Sequence, residues 1–266
     1  MMKVGTAGAP MSSEKRTTFH GVRRVHELGL DAMEVEFTYG VRMGKHTAEL
    51  LGNEAKQLGI MLSAHGPYYI NLNAREKQKL KDSKIRILDT AERVHIFEGR
   101  NVVYHPGFYL KQDPEKVYAR MLAEHKSLMK EIDDEGWNVR LCPETTGKGT
   151  QFGSWEELIR MCSDLPGLGM TVDFAHLLAR ANGKVDYNEV FTAMEKDLGK
   201  KFLKDMHFHF SGIEYTEKGE RRHLEIEMPF LKRIASAIKD FNLGGIIISE
   251  SPNIETDALK LKKLLL

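Results

Sequence analysis

The chain has few cysteines and no long apolar segment. Only Cys142 and Cys162 occur among its 266 residues, which argues against a disulfide scaffold and against a zinc site built from thiolates. No apolar run approaches the roughly 20 residues that cross a bilayer, so we expect no membrane partner. The first ten residues, MMKVGTAGAP, lack an apolar signal core, and we therefore expect a cytoplasmic protein.

Neither sign of charge is in excess. The 39 Lys and Arg residues balance 38 Asp and Glu residues, which leaves a formal net charge of +1. Binding to nucleic acid through bulk charge is therefore excluded, and such a partner would have to be held by a local basic patch or by bound cations. The proportion of hydrophobic residues, 41%, is that of an ordinary globular protein.

Short apolar runs alternate with longer amphipathic segments along the whole chain. The runs at residues 3–7, 32–37, 60–65, 101–105, 138–144, 168–173, 204–210 and 244–250 are typical of buried parallel strands. The segments at residues 17–28, 47–58, 76–97, 114–135, 154–163, 187–198, 228–241 and 255–265 are typical of helices. This repeated β–α order predicts a parallel α/β fold.

Eight βα units in about 260 residues match a (β/α)₈ TIM barrel. A doubly wound sheet is the alternative, but its first strand is usually followed by a glycine-rich phosphate loop, and Gly5-Thr-Ala-Gly8 fits no such motif. No linker-like segment divides the chain. We therefore expect residues 1–266 to form a single-domain barrel.

Six consecutive predicted strands end in an imidazole or a carboxylate. These residues are His65, His105, Glu144, Asp173 with His176 close behind, His207 and His209, and Glu250. Each has an ordinary explanation when taken singly, and Asp173 could simply cap a helix. A barrel, however, brings the C-terminal ends of its strands to one face, where active sites are built. The coincidence predicts a metal site on that face.

The number of these candidate ligands exceeds what one ion requires. A catalytic zinc ion needs three protein ligands and an open position, so the set is large enough for two ions that share a bridging carboxylate. Glu220, in the predicted loop at residues 215–222, and His223, directly after it, could complete a third site. The many imidazoles favour zinc, with manganese as the alternative, and a cluster of ions suits displacement at phosphorus.

At these residues the sequence resembles the endonuclease IV family of zinc-dependent apurinic/apyrimidinic endonucleases, which are xylose-isomerase-like barrels. The similar segments are Phe37-Thr-Tyr-Gly-Val-Arg42, His65-Gly-Pro-Tyr-Tyr-Ile-Asn-Leu72, His105-Pro-Gly107, Glu144-Thr-Thr-Gly-Lys-Gly149, Asp173-Phe-Ala-His176 and the last two strand ends. They occur in order along nearly the whole chain. The resemblance implies hydrolysis of the phosphodiester 5′ to abasic sites in duplex DNA, through a metal-bound hydroxide, during base excision repair.

The resemblance also implies a set of ligands for three zinc ions. It assigns His65, His105 and Glu144 to the first ion, and Glu144, Asp173, a strand-seven histidine and Glu250 to the second. The third ion takes His176 and His223 with a carboxylate from the loop at residues 217–220, where Glu220 is a candidate ligand or a residue behind one. Glu144 and Glu250 would be the catalytic carboxylates. The third ion is the least closely matched, because the family's Asp-x-His is here Glu220-Arg-Arg-His223.

The seventh strand also departs from the family pattern. The family has one histidine followed by Asn-Asp, whereas this chain has His207-Phe-His-Phe-Ser-Gly212. Strand alternation places both imidazoles on one face. We expect His209, nearer the C-terminal end, to be the ligand, and His207 to be either a ligand or a residue that orients it.

A DNA-reading surface is predicted beside the metals. Arg42 follows the second strand, and Tyr68 and Tyr69 follow the third. An arginine and aromatic rings on the active face suit a wedge in the minor groove at a damaged step. The expected partner is double-stranded DNA that carries abasic or damaged sites, bound by a monomer.

Two alternatives to the nuclease are open at this point. A sugar isomerase or epimerase of the xylose-isomerase-like barrels would use only one or two metals. A barrel that binds damaged DNA without cutting it would use its metals structurally, although a structural zinc site needs only four closed ligands.

Overall fold

Eight parallel strands surround the central axis of the computed structural model, which describes residues 2–266. The strands are β1 Met2–Ala7, β2 Ala32–Glu36, β3 Met61–His65, β4 Asn101–Tyr104, β5 Gly107–Phe108, β6 Arg140–Pro143, β7 Gln151–Phe152, β8 Thr171–Asp173, β9 Met206–Phe210, β10 Gly212–Thr216, β11 Gly219–Leu224 and β12 Gly245–Ser249. The helices are α1 Thr18–Glu27, α2 Lys45–Leu58, α3 Lys77–Ile96, α4 Pro114–Asp134, α5 Trp155–Asp164, α6 Phe174–Arg180, α7 Tyr187–Leu198, α8 Lys200–Leu203, α9 Met228–Asp240 and α10 Glu255–Leu265.

The parallel sheet closes into a barrel. Its strand order is β6, β4, β3, β2, β1, β12, β9 and β8, so neighbours in the barrel follow chain order. The two end strands meet where Glu144 bridges to Thr171, and the Thr145 N–H donates to the Thr171 carbonyl at 3.0 Å. The predicted TIM barrel is thereby confirmed.

The predicted strands and helices are present, with ends displaced by a few residues. Asp113 caps α4 ahead of Pro114, and Ser154 forms a capping box with Glu157 at the start of α5. Asp113 accepts the Lys116 N–H, and Ser154 and Glu157 accept one another's N–H, so both caps satisfy backbone groups that a helix otherwise leaves free. The seventh barrel strand begins at Met206 and not at residue 204, because Lys204 ends the short helix α8.

The polar segment after β9 is a hairpin, where the sequence predicted a loop. Strands β10 and β11 pair antiparallel, and Gly219 at their turn has a φ of 96°, a left-handed conformation that glycine adopts without strain. The hairpin carries Glu220 and His223 over the mouth of the barrel. Helix α6 and the two-residue ladder of β5 with β7 were also not predicted.

The hydrophobic core lies between the barrel and its helices. Phe208 of β9 points outwards and packs against Phe174 and Phe191, with ring centroids 5.7 and 6.2 Å apart. His207 and His209 alternate with it and point inwards. Cys142 and Cys162 are both buried and free within the described chain. Over residues 2–266, every helix is too short or too polar to cross a membrane.

A close approach between α2 and the end of α3 provides a test of this packing. A Cβ atom on Gly52 would lie 2.7 Å from the Cα and the carbonyl oxygen of Phe97, which is backbone that cannot move aside. We expect Gly52→Ala to lower the free energy of unfolding in urea by about 1–3 kcal/mol through overpacking. The control is Gly149→Ala, whose Cβ would meet nothing within 4 Å. Unchanged stability in Gly52→Ala would contradict the packing described.

Candidate metal centre

Imidazoles and carboxylates from the strand ends meet at the mouth of the barrel. The residues in this cluster are His65, His105, Glu144, Asp173, His176, His209, His223 and Glu250. Most are buried, whereas the side chains of His105, His223 and Glu250 are 27, 24 and 16% exposed. These three line, with other residues, a cavity of about 340 Å³. The cluster is thus open to this cavity through its more exposed members.

Glu144 lies at the centre of the cluster and faces histidines on both sides. Its Oε2 is 3.2 Å from His65 Nε2 and 2.8 Å from His105 Nε2, and its Oε1 is 3.1 Å from His209 Nδ1 and 3.3 Å from His176 Nδ1. Burial would raise the pKa of Glu144, but the charges of His105 and His209 hold it well below its usual range. The carboxylate is therefore ionised and able to bridge two cations.

Backbone carbonyls fix the orientation of two of the histidines. His65 Nδ1 lies 2.7 Å from the Gly66 carbonyl, and His176 Nδ1 lies 2.9 Å from the Thr145 carbonyl. A carbonyl only accepts hydrogen bonds, so each Nδ1 carries a proton and each Nε2 is the atom left to bind a metal.

Asp173 divides its two oxygens between a helix and the cluster. Oδ1 accepts the N–H groups of Ala175 and His176 at 2.6 and 2.9 Å and so caps α6. Oδ2 is buried and has no hydrogen-bond partner within residues 2–266. A buried carboxylate oxygen without a partner is costly unless a cation faces it. The helix cap and metal ligation are therefore compatible, and the residues present fit a metal.

The cluster divides into overlapping groups whose potential ligand atoms lie within 4.8 Å of one another. The groups are His65, His105 and Glu144; Glu144, Asp173, His209 and Glu250; and Asp173, His176 and His223. Glu220 lies at the edge of the last group, with its Oε2 3.5 Å from His176 Nε2. Imidazole nitrogens and carboxylate oxygens suit zinc or another divalent ion.

The structure separates the two histidines of β9. His209 belongs to the cluster, whereas His207 lies below it with its Nε2 3.0 Å from Glu34 Oε2. Neither Glu34 nor Glu36 was predicted as a site residue. Glu36 lies near the cluster, where burial and the charge of Glu34 raise its pKa to about 7. Two carboxylates spaced two residues apart in an otherwise apolar strand were the signal that could have revealed both.

The predicted DNA-reading residues lie around the rim in three neighbouring depressions. Tyr68 lines the metal cavity, Tyr69 faces a groove of about 540 Å³, and Arg42 lines a cavity of about 420 Å³ together with Tyr39. Tyr39, which was not among the predicted residues, is the most exposed of the three tyrosines, at 73%. These residues therefore lie apart from one another along the rim, and their side chains are accessible to a ligand.

The fold and the cluster define a TIM barrel with a candidate metal centre at the C-terminal ends of its strands. A model of the xylose isomerase-like TIM barrel family matches residues 22–265, and the chain belongs to that family. The resemblance to endonuclease IV is confirmed at this level.

Several proteins are similar to the chain. An uncharacterized protein of Methanocaldococcus jannaschii is 43% identical over 269 residues, which is 99% of this chain and 96% of that protein. An endonuclease 4 homolog of Dictyostelium discoideum is 25% identical over 164 residues, which is 59% of this chain and 30% of that protein.

Solved structures of two kinds share the fold. Endonuclease IV of Thermus thermophilus superposes with a TM-score of 0.70 at 19% identity, over 98% of this chain and 97% of that one. A D-tagatose 3-epimerase-like protein superposes with a TM-score of 0.71 at 21% identity, over 98 and 95% of the two chains.

Metal binding at this cluster should release protons. Burial lowers the pKa of His65, but the hydrogen bond and charge of Glu144 outweigh it and raise the pKa to about 10, and burial raises the pKa of Glu250 to about 7. Both groups hold protons near pH 7, and a cation must displace them. We expect the affinity for zinc to rise with pH, with about one or more protons released per chain at pH 7. Calorimetry in two buffers of different ionisation enthalpy measures this release, and identical enthalpies in both would contradict it.

Proposed function

We propose that this chain is a zinc-dependent apurinic/apyrimidinic endonuclease that hydrolyses the phosphodiester 5′ to abasic sites in duplex DNA. The observation that carries the proposal is the set of three overlapping ligand groups joined through Glu144 and Asp173. Such a set can hold adjacent ions, and adjacent ions suit an in-line displacement at phosphorus. In this assignment Glu220 adds a carboxylate to the group of His176 and His223.

The side chains of the centre have separate tasks. Bound zinc would supply Lewis-acid activation of water and of the phosphate. Glu144 faces His65 and His105 with one oxygen and His209 with the other, and its negative charge would help these residues to hold zinc. Glu250 faces the open cavity, with its Oε1 3.4 Å from His209 Nδ1. Because it faces both the ligand group and the cavity, its carboxylate could accept a proton from water.

The rim of the barrel supplies groups that suit damaged DNA. The rings of Tyr68 and Tyr69 are each 62% exposed and can stack on bases or enter the gap left by a missing base. Arg42 is exposed beside Tyr39 and can meet a phosphate. The similarity to two endonucleases supports this interpretation, and bound cations would supply the positive charge that the chain lacks overall.

A sugar epimerase is the second candidate. Glu144, Asp173, His209 and Glu250 could hold one divalent ion by themselves, and a cavity of about 340 Å³ suits a monosaccharide. In an epimerase with one ion, His105, His176 and His223 would lie close together without binding a metal. We favour the nuclease because it gives a role to all three overlapping ligand groups.

The direct test is a duplex that carries one abasic site. We expect the zinc-loaded protein to cut 5′ to the site and leave a 3′-hydroxyl that a polymerase extends, and a chelator to stop the reaction. Glu144→Gln should abolish cleavage, because a neutral amide bridges two cations poorly. Glu156→Gln, which changes an exposed carboxylate on α5, is the control.

Cleavage by Glu144→Gln at the wild-type rate would remove Glu144 from the centre. Epimerisation of free ketohexoses without any cutting of DNA, followed by NMR, would establish the second candidate in place of the nuclease.

Arg42 should act on binding and not on the chemical step. We expect Arg42→Ala to raise KM for abasic duplex about tenfold with little change in kcat, as the loss of a contact made equally in the ground and transition states does. Arg23→Ala, which removes an exposed arginine on α1, is the matched control. A large fall in kcat with unchanged KM would show that Arg42 contacts the reacting groups.

A further inference from the structure

A column of polar side chains runs through the barrel below the candidate metal centre. The interior of a TIM barrel is usually filled by layers of branched apolar residues. Here Glu34, Ser63, Asn101 and His207 are at most 3% exposed inside the barrel. Polar groups so deeply buried must satisfy one another, and their donors and acceptors therefore determine where each proton lies.

The column begins near the opposite end of the barrel, at Arg140. Its Nε and Nη2 donate to Asn101 Oδ1 at 3.1 and 3.0 Å, while Nη1 lies 3.3 Å from the half-exposed Asp205. A guanidinium group only donates, so the amide oxygen of Asn101 faces Arg140 and its NH₂ group faces the barrel axis. That NH₂ group lies 3.0 Å from His207 Nδ1. His207 Nδ1 is therefore an acceptor without a proton, and the ring carries its proton on Nε2.

Glu34 lies between the two histidines of β9, with one oxygen towards His207 Nε2 and the other towards His209 Nε2. Its Oε2 lies 3.0 Å from His207 Nε2 and accepts the Ser63 hydroxyl at 2.8 Å, while its Oε1 lies 2.8 Å from His209 Nε2. Within residues 2–266, Glu34 Oε1, His207 Nε2 and His209 Nε2 have no partner with hydrogen-bond geometry, so these contacts are ion-pair distances.

The last histidine of the column, His209, belongs to the candidate metal centre. His209 turns its two nitrogens to different carboxylates. Nδ1 donates a hydrogen bond to Glu144 Oε1 at 3.1 Å and lies 3.4 Å from Glu250 Oε1, so a cation held by these ligands would displace the Nδ1 proton. The Nε2 proton faces Glu34 Oε1 and would stay on the ring.

We infer that Glu34 is a positioning residue that makes Nδ1 the atom through which His209 binds its metal, with His207 and Asn101 holding Glu34 in place. The inference rests on the metal centre of the proposed function. A carboxylate behind a ligating histidine fixes the tautomer and the orientation of the ring, and its loss typically lowers metal affinity 10–100-fold.

The same atoms do not form a separate cation site. Glu34, His207 and His209 are close enough together to bind an ion. A histidine that binds an ion through Nε2 carries its proton on Nδ1, however, and at His207 that proton would face the NH₂ donor of Asn101. The two histidines of β9 therefore have different tasks: His209 binds the metal, and His207 links Glu34 to the column.

NMR of the wild-type protein tests the inference without any measurement of activity. The protein is labelled with ¹⁵N-histidine, loaded with zinc or with ¹¹³Cd²⁺, and studied by long-range ¹H–¹⁵N correlation. We expect His209 to show metal-bound Nδ1 and protonated Nε2, and His207 to be unbound with its proton on Nε2. Coordination of His209 through Nε2, or of either His207 nitrogen, would overturn the inference.

Variants then test the role of Glu34 itself. Glu34→Gln should raise the Kd for zinc 10–100-fold in competition with a chelator. Asp257→Asn is the matched control, because Asp257 is equally buried but contacts the Ile226 N–H and Lys260 and no histidine. Wild-type affinity in Glu34→Gln would overturn the inference. If that variant fails to fold, the wild-type NMR pattern decides.

The outcomes separate this inference from the proposed function. Zinc bound through His209 Nδ1 in a protein that does not cut abasic DNA would contradict the nuclease and leave the role of Glu34 intact. Cleavage of abasic DNA by a protein whose His209 binds the metal through Nε2 would support the nuclease and overturn the role of Glu34.

Discussion

The ionised carboxylate of Glu144, buried among imidazoles at the mouth of the barrel, is the interaction on which the rest of the site depends. Its two oxygens lie 2.8–3.3 Å from nitrogens of four histidines that come from different elements. A buried charge is tolerated only when it is compensated on every side. The strand ends, the cap of α6 and the β10–β11 hairpin all place their polar groups around this one carboxylate.

The interior of the barrel is organised to support that arrangement. Most apolar packing lies outside the sheet, where Phe208 meets Phe174 and Phe191, and inside the barrel the polar residues lie beside a small apolar cluster of Ala32, Ile246 and Ile248. A column from Arg140 to His209 sets proton positions over the height of the barrel. A polar interior of this kind stabilises the fold less than an apolar one and is useful only if it orients a group at its end. In this chain that group is a candidate metal ligand.

The barrel and most of the cluster could be predicted from the sequence because they depend on local patterns. Parallel strands are short apolar runs, and a residue at a strand end lies on a known face. The hairpin was missed because residues 212–224 are mostly polar and give little alternation. Glu34 was missed because its partners, His207 and His209, are about 170 residues further along the chain, and no local pattern reveals a contact across the barrel. The choice between the two histidines likewise depended on the register of β9.

The most direct test of the account is the number of metal ions that one chain binds, and where they lie. The zinc content of the reconstituted protein, measured by native mass spectrometry, should be three ions per chain, and anomalous scattering from crystals should place them at the three overlapping groups. A single ion held by Glu144, Asp173, His209 and Glu250, with the remaining histidines empty, would contradict the account.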